Sequence, residues 1–167
     1  MKRILFTFLI LSSVAVVRAQ STNSNSGIDD DRSAESGLKL GLSINPGITV
    51  GRGGSTFALG GELSLHKKLT TNFDGTFSAG YTNFFYGDNS QEGKLIPVKA
   101  GVRYTVKPRL YVGVNAGVAF SINDGGAYFM YSPMVEWKLN KQFDIGLKYD
   151  HYSDEPPVLG PTLTYKF

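Results

Sequence analysis

Residues 110 to 121 read LYVGVNAGVAFS, and this stretch decides the fold because its two faces differ in polarity. One face is apolar and consists of Leu110, Val112, Val114, Ala116, Val118 and Phe120. The other face is mostly small or polar and consists of Tyr111, Gly113, Asn115, Gly117, Ala119 and Ser121. Since successive side chains of a β-strand point to opposite sides, this period of two residues predicts a strand with one apolar face.

The same alternation recurs in eight segments, and no stretch longer than a turn has helical periodicity. The segments are Leu38 to Val50, Thr56 to His66, Phe73 to Phe85, Leu95 to Val106, Arg109 to Ile122, Ala127 to Leu139, Gln142 to His151 and Val158 to Phe167. A length of about 10 to 14 residues is long for a soluble strand. It suits a tilted strand that crosses a membrane and extends beyond its rim.

The connections between these segments alternate in character. Those after the second, fourth and sixth segments are tight and basic, namely residues 67–72, 107–108 and 140–141. Those after the first, third, fifth and seventh are Gly-rich or acidic, namely residues 52–54, 87–93, 123–126 and 152–157. This asymmetry is typical of outer-membrane barrels, whose periplasmic turns are short. The sequence thus predicts an all-β fold, an eight-stranded antiparallel up-and-down transmembrane β-barrel with periplasmic termini.

The N-terminal region predicts export. Residues 1–19 contain a basic start, an apolar stretch and small residues before a cleavage point, as expected of a signal peptide. Residues 20–36 are rich in Ser, Asn and Asp, so we expect a disordered lead-in. The outer-membrane β-barrel domain is predicted to occupy residues 37–167.

Charge and cysteine content exclude several classes of protein. Loss of Lys2, Arg3 and Arg18 with the signal peptide would reduce 17 basic residues to 14, equal to the 14 acidic ones. A neutral mature chain gives no reason to expect a nucleic-acid partner. The chain has no cysteine, so it forms no disulfide and carries no lipid-anchoring cysteine.

The face opposite the apolar one carries charges that we expect to meet inside the barrel. These predicted lumen residues are Lys39, Glu62, Asp74, Lys99, Arg103, Glu136, Lys138, Asp144, Lys148, Asp150 and Lys166. An eight-stranded barrel is just wide enough to be filled by side chains, so six basic and five acidic groups predict a plug of paired charges. A narrow water path is the alternative, because Gly41, Gly60, Gly80, Gly101, Gly113, Gly117 and Gly146 share this face.

The chain resembles the outer-membrane-protein β-barrel domain family, with the architecture of the transmembrane part of outer-membrane protein A and of outer-membrane protein X. The resemblance rests on the eight alternating segments, the two classes of connection, and the last strand with Tyr165 and a terminal Phe167. In that family, such an ending is the signal that the barrel assembly machinery recognises. The resemblance implies a location in the outer membrane of a Gram-negative bacterium. We further expect a monomer in contact with outer-membrane lipids and lipopolysaccharide.

A secreted lipocalin-like binder is the rival architecture, with an apolar face turned inward around a ligand. Lipocalin families usually carry Gly-X-Trp on the first strand, whereas Trp137 here lies on the sixth. The charged face would also line an apolar pocket poorly.

Few residues could carry catalysis. His151 and Ser153 lie on the same side near the end of the seventh segment, where a histidine-activated serine could attack a lipid ester. The pair is similar to the His-X-Ser of the lipid A 3-O-deacylase family, but Asp154 replaces that family's Asn, and the last strand has no carboxylate. Glu155 is a substitute candidate for the orienting acid. His66 is predicted to be a solvated turn residue.

The functional expectation is a small outer-membrane protein with a structural or surface-interaction role and a plugged lumen. We expect no enzyme, no cofactor and no metal. The alternatives are a porin-like narrow channel for small solutes, an outer-leaflet lipid A deacylase-like hydrolase, and the secreted binder.

Overall fold

The computed structural model describes residues 37–51, 56–86 and 93–167. The predicted signal peptide and lead-in lie outside these residues, as do most of the first and third connections. Eight strands follow one another in the described ranges: β1 Leu38–Thr49, β2 Phe57–Lys68, β3 Phe73–Phe85, β4 Gly93–Lys107, β5 Leu110–Ser121, β6 Ala127–Lys138, β7 Phe143–Tyr152 and β8 Val158–Lys166. None of the described residues belongs to a helix long and apolar enough to cross a membrane.

The strands close into one antiparallel barrel. Each strand pairs with the next in sequence, and β8 pairs with β1 to complete the circle. At the seam, Ile44 of β1 lies opposite Leu163 of β8. On the other side of β1, Ser43 lies opposite Glu62 of β2. Closure leaves no strand edge unpaired, which is the condition for a sheet to exist in lipid. The predicted eight-stranded up-and-down barrel is confirmed.

Polarity across the barrel wall is the reverse of that in a soluble barrel. In β5, the outward Val114 is 46% exposed, whereas the adjacent Asn115 is only 6% exposed. The inward side chains are mainly charged or hydroxyl-bearing, and the outward ones are mainly aliphatic or aromatic. This arrangement places apolar groups where lipid tails would contact them and confines polar groups to the interior.

The two ends of the barrel differ. We call the end with the β2–β3, β4–β5 and β6–β7 connections the turn end, and the opposite end the loop end. The first strand, β1, begins at the turn end, and the last strand, β8, ends there. The β2–β3 ladder continues to the pair Lys68 and Asp74, two residues beyond the predicted end of the segment. His66 is consequently buried on the inward face, and the prediction of a solvated turn residue is wrong.

Candidate functional site

The interior of the loop end is filled by an apolar cluster. Strand residues that face inward at this level are large and apolar or small, instead of charged. The loop-end apolar cluster consists of Ala58, Phe84, Leu95, Ala119, Met130, Tyr152 and Val158. The Phe84 ring lies edge-on to the Tyr152 ring at 6.0 Å between centroids and stacks with Tyr86 at 6.2 Å. The cluster therefore fills the end of the lumen with packed, water-excluding side chains.

The middle of the lumen holds a central charge cluster of Glu62, Lys99, Lys148 and Asp150. Glu62 Oε1 accepts hydrogen bonds from Lys99 Nζ at 2.7 Å and from Lys148 Nζ at 2.6 Å. Lys148 Nζ also lies 3.1 Å from Asp150 Oδ2, and Ser132 donates to Asp150. Two cations and two anions thus balance one another in a site where each is almost completely buried.

A second set of ion pairs, the turn-end charge cluster, is centred on Arg103. Its guanidinium donates to Asp74 at 2.9 Å and to Glu136 at 3.2 Å, and it lies 3.7 Å from Asp144. Asp144 in turn accepts from Lys166 Nζ at 2.7 Å. Nine of the eleven predicted lumen residues lie in these two clusters, which join strands that are not neighbours in the barrel wall.

The remaining two predicted lumen residues, Lys39 and Lys138, line a cavity at the turn end. This turn-end vestibule has a volume of about 260 Å³, and Lys68 and His66 also contribute to its wall. Deeper cavities are far smaller, at about 30 and 10 Å³. Since one water needs about 10 to 15 Å³ of such volume, these deeper spaces hold isolated waters at most.

The inward glycines are positions of close strand approach. A Cβ atom built on Gly101 would lie 2.1 Å from the Val114 carbonyl oxygen, and one on Gly117 would lie 2.0 Å from the Val98 oxygen. The space beside these glycines is thus occupied by the backbone of the neighbouring strand. The absence of a side chain at Gly101 and Gly117 therefore leaves no open space on the inward face.

Substitution of one such glycine is expected to destabilise the barrel. Gly117→Ala should lower the free energy of unfolding by about 1 to 3 kcal/mol, because the added methyl group overlaps a backbone oxygen and the strand must move. Gly61→Ala is the matched control, since its Cβ would meet nothing closer than Ser43 O at 3.9 Å. Urea unfolding of the refolded proteins in vesicles measures both; equal midpoints for the two variants would contradict the expectation.

The catalytic candidates lie at the loop end, but each contacts a residue other than its proposed catalytic partner. The Ser153 hydroxyl donates to Asp154 Oδ2 at 2.8 Å, and Glu155 accepts from the Tyr86 hydroxyl at 3.4 Å. The His151 ring instead packs against Tyr131, with 4.8 Å between ring centroids. The described geometry therefore does not join these residues into a nucleophile, base and orienting acid.

The two residues of the predicted assembly signal, Tyr165 and Phe167, lie next to the seam between β8 and β1 and belong to a group of aromatic rings. Tyr165 packs against Phe143 at 5.2 Å and against Phe167 at 5.0 Å between centroids. The Phe167 amide donates to the Leu40 oxygen at 2.9 Å. Aromatic rings at the interface level are expected of a membrane barrel.

Comparisons with known proteins agree on the architecture. A scan of protein-family models and a search of curated protein sequences gave no match. The solved structures gave matches to the Yersinia pestis outer membrane protein Ail in a phospholipid nanodisc, with a TM-score of 0.56 and 12% identity over 77% of this chain and 99% of Ail. A de novo designed transmembrane β-barrel matches with a TM-score of 0.56 and 15% identity over 77% of this chain and 95% of the design.

The fold is that of the small eight-stranded outer-membrane β-barrels. Ail in complex with the heparin analogue sucrose octasulfate gives a TM-score of 0.55 and 13% identity, over 78% of this chain and 97% of Ail. At these identities, the likeness concerns the path of the backbone and carries no functional residue across.

The sequence prediction missed polar side chains that form hydrogen bonds between strands in the lumen. Thr76 donates to Asn115, and Thr162 donates to Asn45 at 2.6 Å. The sequence contained a signal for Thr76, Thr162 and Asn45, because each faces the same side as a charged residue of its own strand. Within the described residues, no group of three or more His, Cys, Asp or Glu side chains is placed to hold a metal ion.

Proposed function

We propose that this protein is a monomeric, integral outer-membrane barrel of a Gram-negative bacterium that serves a structural or surface-interaction role and passes no solute. Its turn end would face the periplasm and its loop end the exterior, as the short and long connections of such barrels do. The outward apolar surface would contact outer-membrane lipids and lipopolysaccharide.

The observation that carries this proposal is that three successive layers of side chains fill the lumen. A solute entering from the turn end would first meet the ion pairs of Arg103 and then those of Glu62, at contacts of 2.6 to 3.2 Å. Beyond them stands the loop-end apolar cluster, in which the Tyr152 hydroxyl is the one polar side-chain group available to replace a solute's water shell. Separating a buried ion pair is costly, so each layer is a barrier in its own right.

The described loop end favours neutral or cationic contacts over anionic ones. Asp124 accepts from the Gly126 amide at 2.9 Å and from the Tyr128 hydroxyl at 2.7 Å. Hydrogen bonds from Ser121, Gly126 and Tyr128 lower the pKa of Asp124 to about 2, which keeps it ionised at physiological pH. Asp154 and Glu155 add to this negative charge, so the sulfated sugar seen with Ail is not proposed as a ligand here.

Planar-bilayer recording tests the proposal. Residues 20–167 are refolded into lipid, and heat-modifiable gel mobility first establishes that the barrel has inserted. We expect an inserted barrel that produces no discrete current steps, because the lumen is obstructed at three levels. Reproducible steps from the purified wild-type barrel would contradict the proposal and favour the narrow channel.

Lipid analysis tests the non-enzymatic part of the proposal. Overexpression of the wild type, of Ser153→Ala and of His151→Ala should leave the mass spectrum of lipid A identical to that of the deletion strain. The reason is that the Ser153 hydroxyl is bonded to Asp154 and not to an activating base. A loss of one acyl chain with the wild type, abolished by both substitutions, would establish a hydrolase instead.

A further inference from the structure

The turn-end vestibule is lined by more basic than acidic residues, and not all of the basic ones belong to the ion-pair clusters. Its wall and floor carry Lys39, Lys68, Arg103, Lys138 and Lys166. Arg103 and Lys166 are committed to the carboxylates of the turn-end charge cluster. Among the described residues, no carboxylate lies within ion-pair distance of Lys68 or Lys138, although both line the cavity.

A buried histidine in the vestibule wall is a second observation. His66 lines the same cavity and is only 7% exposed. Its Nε2 lies 3.0 Å from the Ser64 hydroxyl, while its Nδ1 is buried without a hydrogen-bond partner. The Ser64 hydroxyl also lies 3.3 Å from the Gly41 carbonyl oxygen, to which it can donate. The ring proton of His66 sits on Nε2 when Ser64 donates to Gly41, and on Nδ1 when Ser64 donates to the ring. A buried polar atom without a partner is costly in either tautomer, and an anion in the vestibule would favour the tautomer with the proton on Nδ1.

We propose that the turn-end vestibule binds a phosphate group carrying at least two negative charges. Lys68 and Lys138 would supply the charge contacts, and the His66 ring in the cavity wall would respond to the bound charge. Asp74 is the acidic residue among the cavity's lining, and it is already paired with Arg103. At about 260 Å³, the vestibule lies below the usual range for drug-sized ligands and suits a small phosphate ester or pyrophosphate.

The described chain supplies a matched control for this site. Lys67 follows His66 on the outward face of β2, and Lys141 lies in the β6–β7 turn. Neither lines the vestibule, yet both lie at the same end of the barrel as Lys68 and Lys138. The double variant Lys67→Gln with Lys141→Gln therefore removes the same charge from the same end without touching the cavity.

Titration with inorganic pyrophosphate in maltoside micelles, which contain no phosphate, tests the proposal. The chain has two histidines, and His151 at the loop end is an internal reference for the ring resonances of His66. Pyrophosphate should shift the His66 signals in a saturable manner and leave those of His151 in place. Lys68→Gln with Lys138→Gln should weaken binding by about tenfold or more, and the matched control by less than about threefold.

Three outcomes would overturn the proposal: no saturable shift at His66, equal shifts at both histidines, or equal weakening by the two double variants. Heat-modifiable mobility confirms that each variant is folded before titration. If the cavity double variant does not fold, the single variants Lys68→Gln and Lys138→Gln replace it, with about a threefold loss expected from each. In a parallel titration with dihexanoylphosphatidic acid, a shift at His66 that matches the pyrophosphate shift would show that a lipid phosphate can also occupy the site. A shift in this arm alone would overturn the proposal, because the acyl chains would then be the recognised group.

Discussion

Glu62→Gln is expected to lower the free energy of unfolding by about 3 to 5 kcal/mol, because it leaves buried lysines without their shared anion. The Glu62 carboxylate accepts from both Lys99 and Lys148 through one oxygen, at 2.7 and 2.6 Å. A neutral amide of the same shape retains the packing but removes the charge that balances them. Only Asp150 would then remain to compensate two ammonium groups in a site closed to bulk water.

Urea titration of the protein folded into vesicles, followed by heat-modifiable mobility, measures this loss. Asp154→Asn is the control, because Asp154 is an exposed carboxylate at the loop end that accepts a hydrogen bond from the adjacent Ser153 hydroxyl. Its removal should change the free energy of unfolding by less than about 1 kcal/mol. Similar midpoints for Glu62→Gln and the wild type would show that the central charge cluster does not stabilise the barrel.

Leu147→Arg is expected to cost about 2 to 4 kcal/mol, because it places a guanidinium against the lipid tails at mid-membrane. Leu147 is the fifth of the ten residues of β7, and its side chain is 53% exposed on the outward face. The same change in a protein surrounded by water would replace an exposed leucine by a soluble residue at little cost. The substitution therefore distinguishes a membrane barrel from a secreted one.

Leu139→Arg is the matched control for this prediction. Leu139 is 50% exposed, so the two leucines expose nearly equal fractions, but it lies in the turn that follows β6. At the level of the headgroups an arginine costs only about 0 to 1 kcal/mol. Equal stability of the two arginine variants, measured by the same urea titration, would contradict a lipid-facing position for Leu147.

The architecture was predictable because the alternation of polar and apolar residues can be recognised within each strand separately. In a barrel the side-chain period of two is shared by all eight strands, so the alternation around Val114 and Asn115 indicates both a strand and its inward face. Short turns such as that of Pro108 and long loops then give the order and direction of the strands. None of this requires knowledge of contacts between distant residues.

The partners within the lumen were not predictable in the same way. Glu62 and Lys148 are 86 residues apart in sequence, and they meet across the lumen from strands that are not neighbours. Alternation gives the direction of a side chain, but its height depends on how far adjacent strands are staggered, which the sequence does not state. The same uncertainty led to the wrong prediction for His66, since the end of β2 is set by its pairing with β3.

The loop-end apolar cluster was missed for a different reason. In the stretch from Asn83 to Phe85, two consecutive phenylalanines obscure the alternation, so the inward Phe84 cannot be told from the outward Phe85 by composition. Met130 and Tyr152 likewise read as ordinary members of apolar or aromatic segments. Only closure of the barrel brings these three inward side chains together.

Fluorescence quenching of Trp137 tests the central claim most directly, namely that the apolar face of the barrel contacts lipid. Trp137 is the one tryptophan of the chain, and its side chain faces outward, 47% exposed, near the turn end of β6. In vesicles containing lipids brominated at different depths, bromines nearest the headgroups should quench its emission most, and aqueous acrylamide should quench it poorly. Free quenching by acrylamide, together with no effect of any brominated lipid, would contradict a membrane-embedded barrel.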